Sequence, residues 1–177
     1  MITRELIQEL SRFESKSFPV VSFFLNLDVD QVSTGAYKIA AKGLAKEVKQ
    51  GIKDKEKEYS REQVKSLTSD IEAFIDAVNS LQIPARARGF VMFTCSGEDF
   101  SRKMYLPRPV ADFVKIGADP VIRLLTNTFD QFKHFGICTV DNTRALAAAA
   151  YMNTFDAIEE MKDDIHTQRS RYGGGTG

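Results

Sequence analysis

Leu6, Leu10 and Phe13 recur at helical spacing behind Thr3, a side chain suited to capping, so residues 4 to 14 predict a short amphipathic helix. The period then changes. FPVVSFFLNLDV, Phe18 to Val29, is β-branched and aromatic at both alternating sets of positions, as in a central strand buried on both faces. From about Ala36 the helical period returns, with Leu44, Val48 and Ile52 four apart and then Val64, Leu67, Ile71, Phe74, Ile75, Val78 and Leu81 on one packed face. Between these helices KDKEKEYSRE, Lys53 to Glu62, is too polar to bury and carries Ser60 as an N-cap with Gln63 three residues on. The expectation is a helical hairpin with an exposed, charged tip.

Pro84 predicts the close of the second helix, and GFVMFTCS, Gly89 to Ser96, predicts another strand. Gly97-Glu98-Asp99 is its turn and Lys103 to Leu106 its antiparallel return. Asp119-Pro120 places an N-cap aspartate before a first-turn proline, which predicts a helix over Val121 to Phe129. After Gln131 a new β pattern begins, with HFGICTVD, a turn at Asn142-Thr143, and RALAAAAYM as a hairpin partner despite the helix preference of alanine. FDAIEEMKDDI, Phe155 to Ile165, reads as helix by composition, with a third meander strand as the alternative. Together these elements predict an α+β protein. A mixed sheet packs against a long helical hairpin over residues 1–130, and the opening β-meander of a second domain occupies 131–177.

An apolar fraction of 43% supports a real core, and 24 basic residues against 24 acidic ones leave no global field to attract a polyanion. Any such contact must come from local clusters. Cys95 and Cys138 lie in apolar, β-like runs without metal-ligand spacing, which suits buried thiols in a reducing compartment. No apolar run approaches the ~20 residues of a membrane span and the amphipathic N-terminus is unlike a signal peptide, so a cytoplasmic location without membrane contact is expected.

Candidate chemistry is sparse. Asp28 and Asp30, at the end of the first strand, have the chemistry to hold Mg²⁺ or move a substrate proton, but no further acid or histidine stands near them in sequence. Solvated carboxylates at a strand exit are the favoured reading. His134 and His166 show no paired metal spacing, and Cys138, flanked by Ile137 and Thr139, is read as core. Arg86, Arg88, Arg102, Lys103 and Arg108 make a basic patch only if the strands bring them together. The terminal RSRYGGGTG differs from these. Arg169, Arg171 and Gly173 to Gly175 combine positive charge with a backbone free to approach a phosphate or RNA strand closely, and the run reads as an unfinished loop of a larger protein.

Taken in order, PVVSFFLNLDVD, the helical hairpin, RGFVMFTCSG, HFGICTVDNTRALAAAAYM and RSRYGGGTG resemble the archaeo-eukaryotic class 1 peptide chain release factor family, in its divergent bacterial and archaeal branch. The resemblance covers nearly the whole chain and is one of pattern more than of invariant motif. It implies a first domain that enters the ribosomal decoding region and a second that carries a Gly-Gly-Gln loop to the peptidyl transferase centre. It therefore implies translation termination or ribosome rescue, with the ribosome, peptidyl-tRNA and rRNA as partners, a GTPase recruited by a further C-terminal domain, and no cofactor or metal. Gly173 and Gly174 match the loop's glycine pair and Arg169 to Arg171 its basic lead-in, whereas Gly175, or Thr176 after a one-residue slip, stands where the family has its glutamine. The tip, with Lys53, Lys55 and Lys57 as candidate RNA contacts, lacks the Asn-Ile-Lys-Ser motif of stop-codon readers. The resemblance thus points to peptidyl-tRNA hydrolysis without codon reading by the known route, or to a non-catalytic ribosome-binding or tRNA-binding protein with a degenerate loop.

Overall fold

A computed structural model describes residues 3–55, 57–131, 135–141, 144–151 and 154–162. The class is α+β, and the chain divides into two compact units, Met1–Gln131 and Phe132–Gly177.

The first unit is organised by β1 (Val20–Asn26), which is fully buried over six of its seven residues. It pairs with β2 (Gly89–Cys95) on one side and β4 (Phe113–Gly117) on the other, and β2 continues to β3 (Phe100–Leu106), giving the order β3-β2-β1-β4. Every pairing is antiparallel, where a mixed sheet was expected. The reason is local: a short turn joins β2 to β3, and the helical hairpin between β1 and β2 returns the chain to the end of the sheet where it started.

That hairpin is α3 (Ala36–Asp54) and α4 (Arg61–Asn79). Its apolar stripes, Tyr37, Ala41, Leu44, Val48 and Ile52 on α3 and Leu67, Ile71, Phe74 and Val78 on α4, bury against Val21, Phe23 and Leu25 of β1 and Phe90 and Met92 of β2. The rings of Phe23 and Phe74 stack with centroids 3.9 Å apart. Ser60 caps α4 as expected: its hydroxyl accepts from the Gln63 N–H, and the Gln63 side chain accepts from the Ser60 N–H. On the opposite face of the sheet Phe24 stacks on Phe113 and meets Phe93 edge-on, while Leu10 of α1 (Arg4–Arg12) and Leu125 of α5 (Arg123–Gln131) are buried. Thr3 caps α1, accepting from the Leu6 N–H.

Several expectations change. A short helix, α2 (Val29–Ser33), follows β1, and β4 emerges from the proline-rich stretch after β3. The helix expected from Val121 starts at Arg123, because the Val121 N–H is donated to the Ser22 hydroxyl of β1 and the Asp119-Pro120 step stays outside the helix. α4 ends at Asn79, ahead of Pro84.

The second unit contains β5 (Phe135–Val140), β6 (Arg144–Tyr151) and β7 (Thr154–Lys162), an antiparallel meander with a register shift at Ala149/Ala150. Alanine's helix preference amounts to a few tenths of a kcal/mol per residue, and pairing on both edges of β6 overrides it. The segment from Phe155 is a strand to Lys162, so the meander alternative replaces the helix read from composition. All of β5 is exposed, including Cys138, which was expected in a core; a three-stranded sheet alone cannot cover both its faces. The turn residues Asn142 and Thr143 lie outside the described residues.

Because Phe74 is fully buried against Phe23, Phe74→Ala should cost about 3–5 kcal/mol of unfolding free energy in urea titration. Ser60→Ala should cost about 1 kcal/mol through the lost cap. Equal effects of the two substitutions would contradict this packing.

Candidate functional site

At the hairpin tip, Lys53 lies in the last turn of α3, Lys55 caps its C-terminus, and Lys57 follows in the turn; all are exposed. Lys55 Nζ lies 3.5 Å from the Glu58 carboxylate, an exposed pair that adds little stability and leaves the ammonium open to solvent. Lys55 also lines a cleft of about 380 Å³ with Tyr59, Gln63 and the segment Ser15–Phe18 that leads into β1. Lys16, unremarked in the sequence, therefore shares this cleft with a tip lysine.

The cleft wall rests on a turn, Ser96–Glu98, at the end of β2. Glu98 Oε1 accepts from the Ser15 hydroxyl at 2.7 Å, the Lys16 N–H at 2.7 Å and the Ser17 N–H at 3.2 Å. The hydrogen bond from Ser15, seconded by the backbone donors and the Lys16 charge, holds this carboxyl below the usual range. Gln63 reaches the same segment from α4, donating to the Ser17 carbonyl at 2.7 Å. Gly97 must be glycine, because a Cβ there would lie 2.2 Å from the Phe18 ring. The left-handed residue of the turn is instead Asp99, at φ 52°.

Behind the turn Asp70 of α4 is fully buried. Its Oδ1 accepts from the Thr94 hydroxyl at 2.8 Å, the Ser96 N–H at 2.8 Å and the Ser96 hydroxyl at 2.5 Å, while Oδ2 has no partner. Burial outweighs these hydrogen bonds and pushes the carboxyl above its ordinary value. Ser66, one turn earlier, accepts from the Gly97 N–H. Sequence reading missed this group, although Asp70 stands three residues after Leu67 and four before Phe74, on the packed face of α4. A carboxylate at such a position is the signal.

Other candidates dissolve into structural roles. Asp28 caps α2 through the Val29 N–H and lies 3.8 Å from Arg88 Nε, and Asp30 sits in the first turn of the same helix. No group of metal-ligating side chains forms among the described residues. Arg88 and Arg102, two members of the expected basic patch, lie toward opposite ends of the β2–β3 hairpin. Arg88 donates to the Ala85 and Ala87 carbonyls at one end of the β2–β3 hairpin, while Arg102 pairs with Glu9 toward the other. Cys95 is buried, which pushes its thiol up and makes it a poor nucleophile. Arg169, Arg171, Gly173, Gly174, Gly175, His134 and His166 lie outside the described residues. No helix among the described residues is long and apolar enough to cross a membrane.

No protein-family model matches the chain, and no curated protein does. Among solved structures, an archaeal translation termination factor, aRF1, superposes with a TM-score of 0.50 at 14% identity, over 89% of this chain and 43% of its own. Over that span the chain shares the fold of this factor. A second structure, titled only as an archaeal protein, gives a TM-score of 0.52 at 13% identity with the same coverage. The chain thus spans less than half the length of either structure.

The raised Asp70 carboxyl fixes a pH dependence. Between its ordinary value of 3.8 and its higher folded value, the folded state binds more protons than the unfolded state. The favourable contribution is therefore present below 3.8 and is lost as pH rises through the folded value. Asp70→Asn, which mimics the neutral acid, should gain stability relative to wild type between pH 4 and pH 7 in paired denaturant titrations, with Glu98 common to both and cancelling. A difference that is flat or shrinks with pH would contradict the assignment.

Proposed function

We propose that this chain is part of a ribosome-binding factor of the release-factor type that promotes hydrolysis of peptidyl-tRNA, acting in termination or rescue without reading a stop codon by the known route. The observation that carries the proposal is the likeness of fold to an archaeal translation termination factor over 89% of the chain. The order of motifs in the sequence and the terminal RSRYGGGTG support it.

In this reading the exposed cations of the tip, Lys53, Lys55 and Lys57, meet RNA phosphates in the decoding region. Arg169 and Arg171 carry the glycines Gly173, Gly174 and Gly175 to the ester that joins the nascent peptide to tRNA. Backbone N–H and C=O groups of such a loop place a water against the ester carbonyl, and N–H donors stabilise the tetrahedral oxyanion. Gly175 supplies no side-chain amide, so positioning falls to the backbone. Neither a metal nor a cofactor enters the proposal, the location is cytoplasmic, and a GTPase partner would join through a C-terminal domain.

The glycine in place of the family's glutamine favours a second reading: a ribosome-binding or tRNA-binding protein that keeps the shape without the chemistry. Peptide release from stalled ribosomes by the full protein separates the two. The catalytic reading expects release that Gly174→Ala lowers by about 10²-fold through displaced backbone groups. Retention on ribosomes with no release supports the second reading. Release unchanged in Gly174→Ala would remove the loop from the chemistry.

A further inference from the structure

We propose that Glu98 is a positioning residue, which acts through the backbone of Ser15–Phe18 to hold Lys16 beside the hairpin tip as part of the polyanion-binding surface. This inference rests on the ribosomal reading above and adds to it a residue that itself lines no part of the cleft.

The segment Ser15–Phe18 has no regular structure, yet it is fastened to three separate elements. Glu98 takes the Ser15 hydroxyl and the Lys16 and Ser17 N–H groups on one carboxylate oxygen. Gln63, already committed to the cap of α4, holds the Ser17 carbonyl from the other side. The Ser15 N–H is donated to the Ala118 carbonyl beyond β4, at 3.3 Å. Phe18 closes the arrangement by laying its ring where Gly97 has no Cβ. The Lys16 backbone is thereby fixed while its side chain is exposed and borders the cleft with Lys55. A preorganised cation loses less conformational freedom on meeting a phosphate than one on a loose loop.

Simple charge counting gives the opposite expectation. Glu98 is an anion close to Lys16, and removing an anion should tighten contact with a polyanion. If Glu98 acts by position, Glu98→Ala should weaken that contact although the chain becomes more positive. Glu98→Gln keeps a carbonyl oxygen to accept the same donors and should bind ribosomes at least as well as wild type.

The test joins two measurements on the full chain, amide hydrogen exchange and retention on vacant ribosomes at low salt. In Glu98→Ala, exchange at Lys16 and Ser17 should quicken by about tenfold or more while amides of β1 and α4 keep their protection. Ribosome retention should fall severalfold, and Glu98→Gln should restore both. Unchanged exchange at Lys16 and Ser17 overturns the proposal, as does a uniform rise across the whole unit, which would mean general destabilisation. Local loosening with undiminished ribosome binding also overturns it and leaves the ribosomal reading standing. If the wild-type chain is not retained at all, the ribosomal reading fails and the positioning role falls with it. The exchange data still show whether Glu98 orders the segment, so the two failures are told apart.

Discussion

The stack of Phe23 on Phe74 joins the central strand to the second helix of the hairpin, and the geometry at the tip is inherited from it. β1 has neighbours on both edges and burial on both faces, which leaves it little freedom to slip, since a one-residue shift would exchange Phe23 for Phe24 on the helix side. With β1 fixed, α4 is fixed through Phe74. Asp70 and Ser66 on the same face of α4 then meet the turn at the end of β2. The core and the candidate surface are thus one construction, in which apolar packing sets the register and a few carboxylates secure the irregular backbone at the rim.

Two acids at this rim illustrate how environment divides like groups. Glu98 faces solvent and gathers donors, so its charge is favoured. Asp70 gathers donors on one oxygen only, and its burial disfavours charge. The outer carboxylate organises a segment in contact with solvent, and the inner one binds β2 and the turn to α4. Each is engaged by hydroxyl and backbone donors from neighbouring segments, which agrees with a role in holding shape.

The regular elements with strong periodicity were legible. β1 was identifiable because apolar residues occupy both of its alternating sets of positions, and the hairpin because Ser60 and Gln63 mark the start of α4 between two clear helical stripes. What escaped depends on contacts distant in sequence. β4 has only five residues and becomes a strand by pairing with β1. The start of α5 is displaced by a bond from Val121 to Ser22, 99 residues earlier. β6, by contrast, was read as a strand against the propensity of its alanines, and it pairs on both edges. Of the candidate site, the tip lysines were legible as an exposed charged run, whereas Lys16 and Glu98 acquire meaning only when residues some 80 positions apart come together. The glycine loop was recognised by its resemblance to a family motif, and its role stays with the functional proposal.

The proposed function turns on the tip of the hairpin meeting ribosomal RNA. Placing a photoreactive cross-linker at position 55 of the full chain and mapping its products on ribosomes tests this most directly. Cross-links should concentrate in decoding-region RNA, be competed by unlabelled protein and be weakened by added salt. Cross-links scattered over ribosomal proteins and RNA without competition, or none at all, would contradict it.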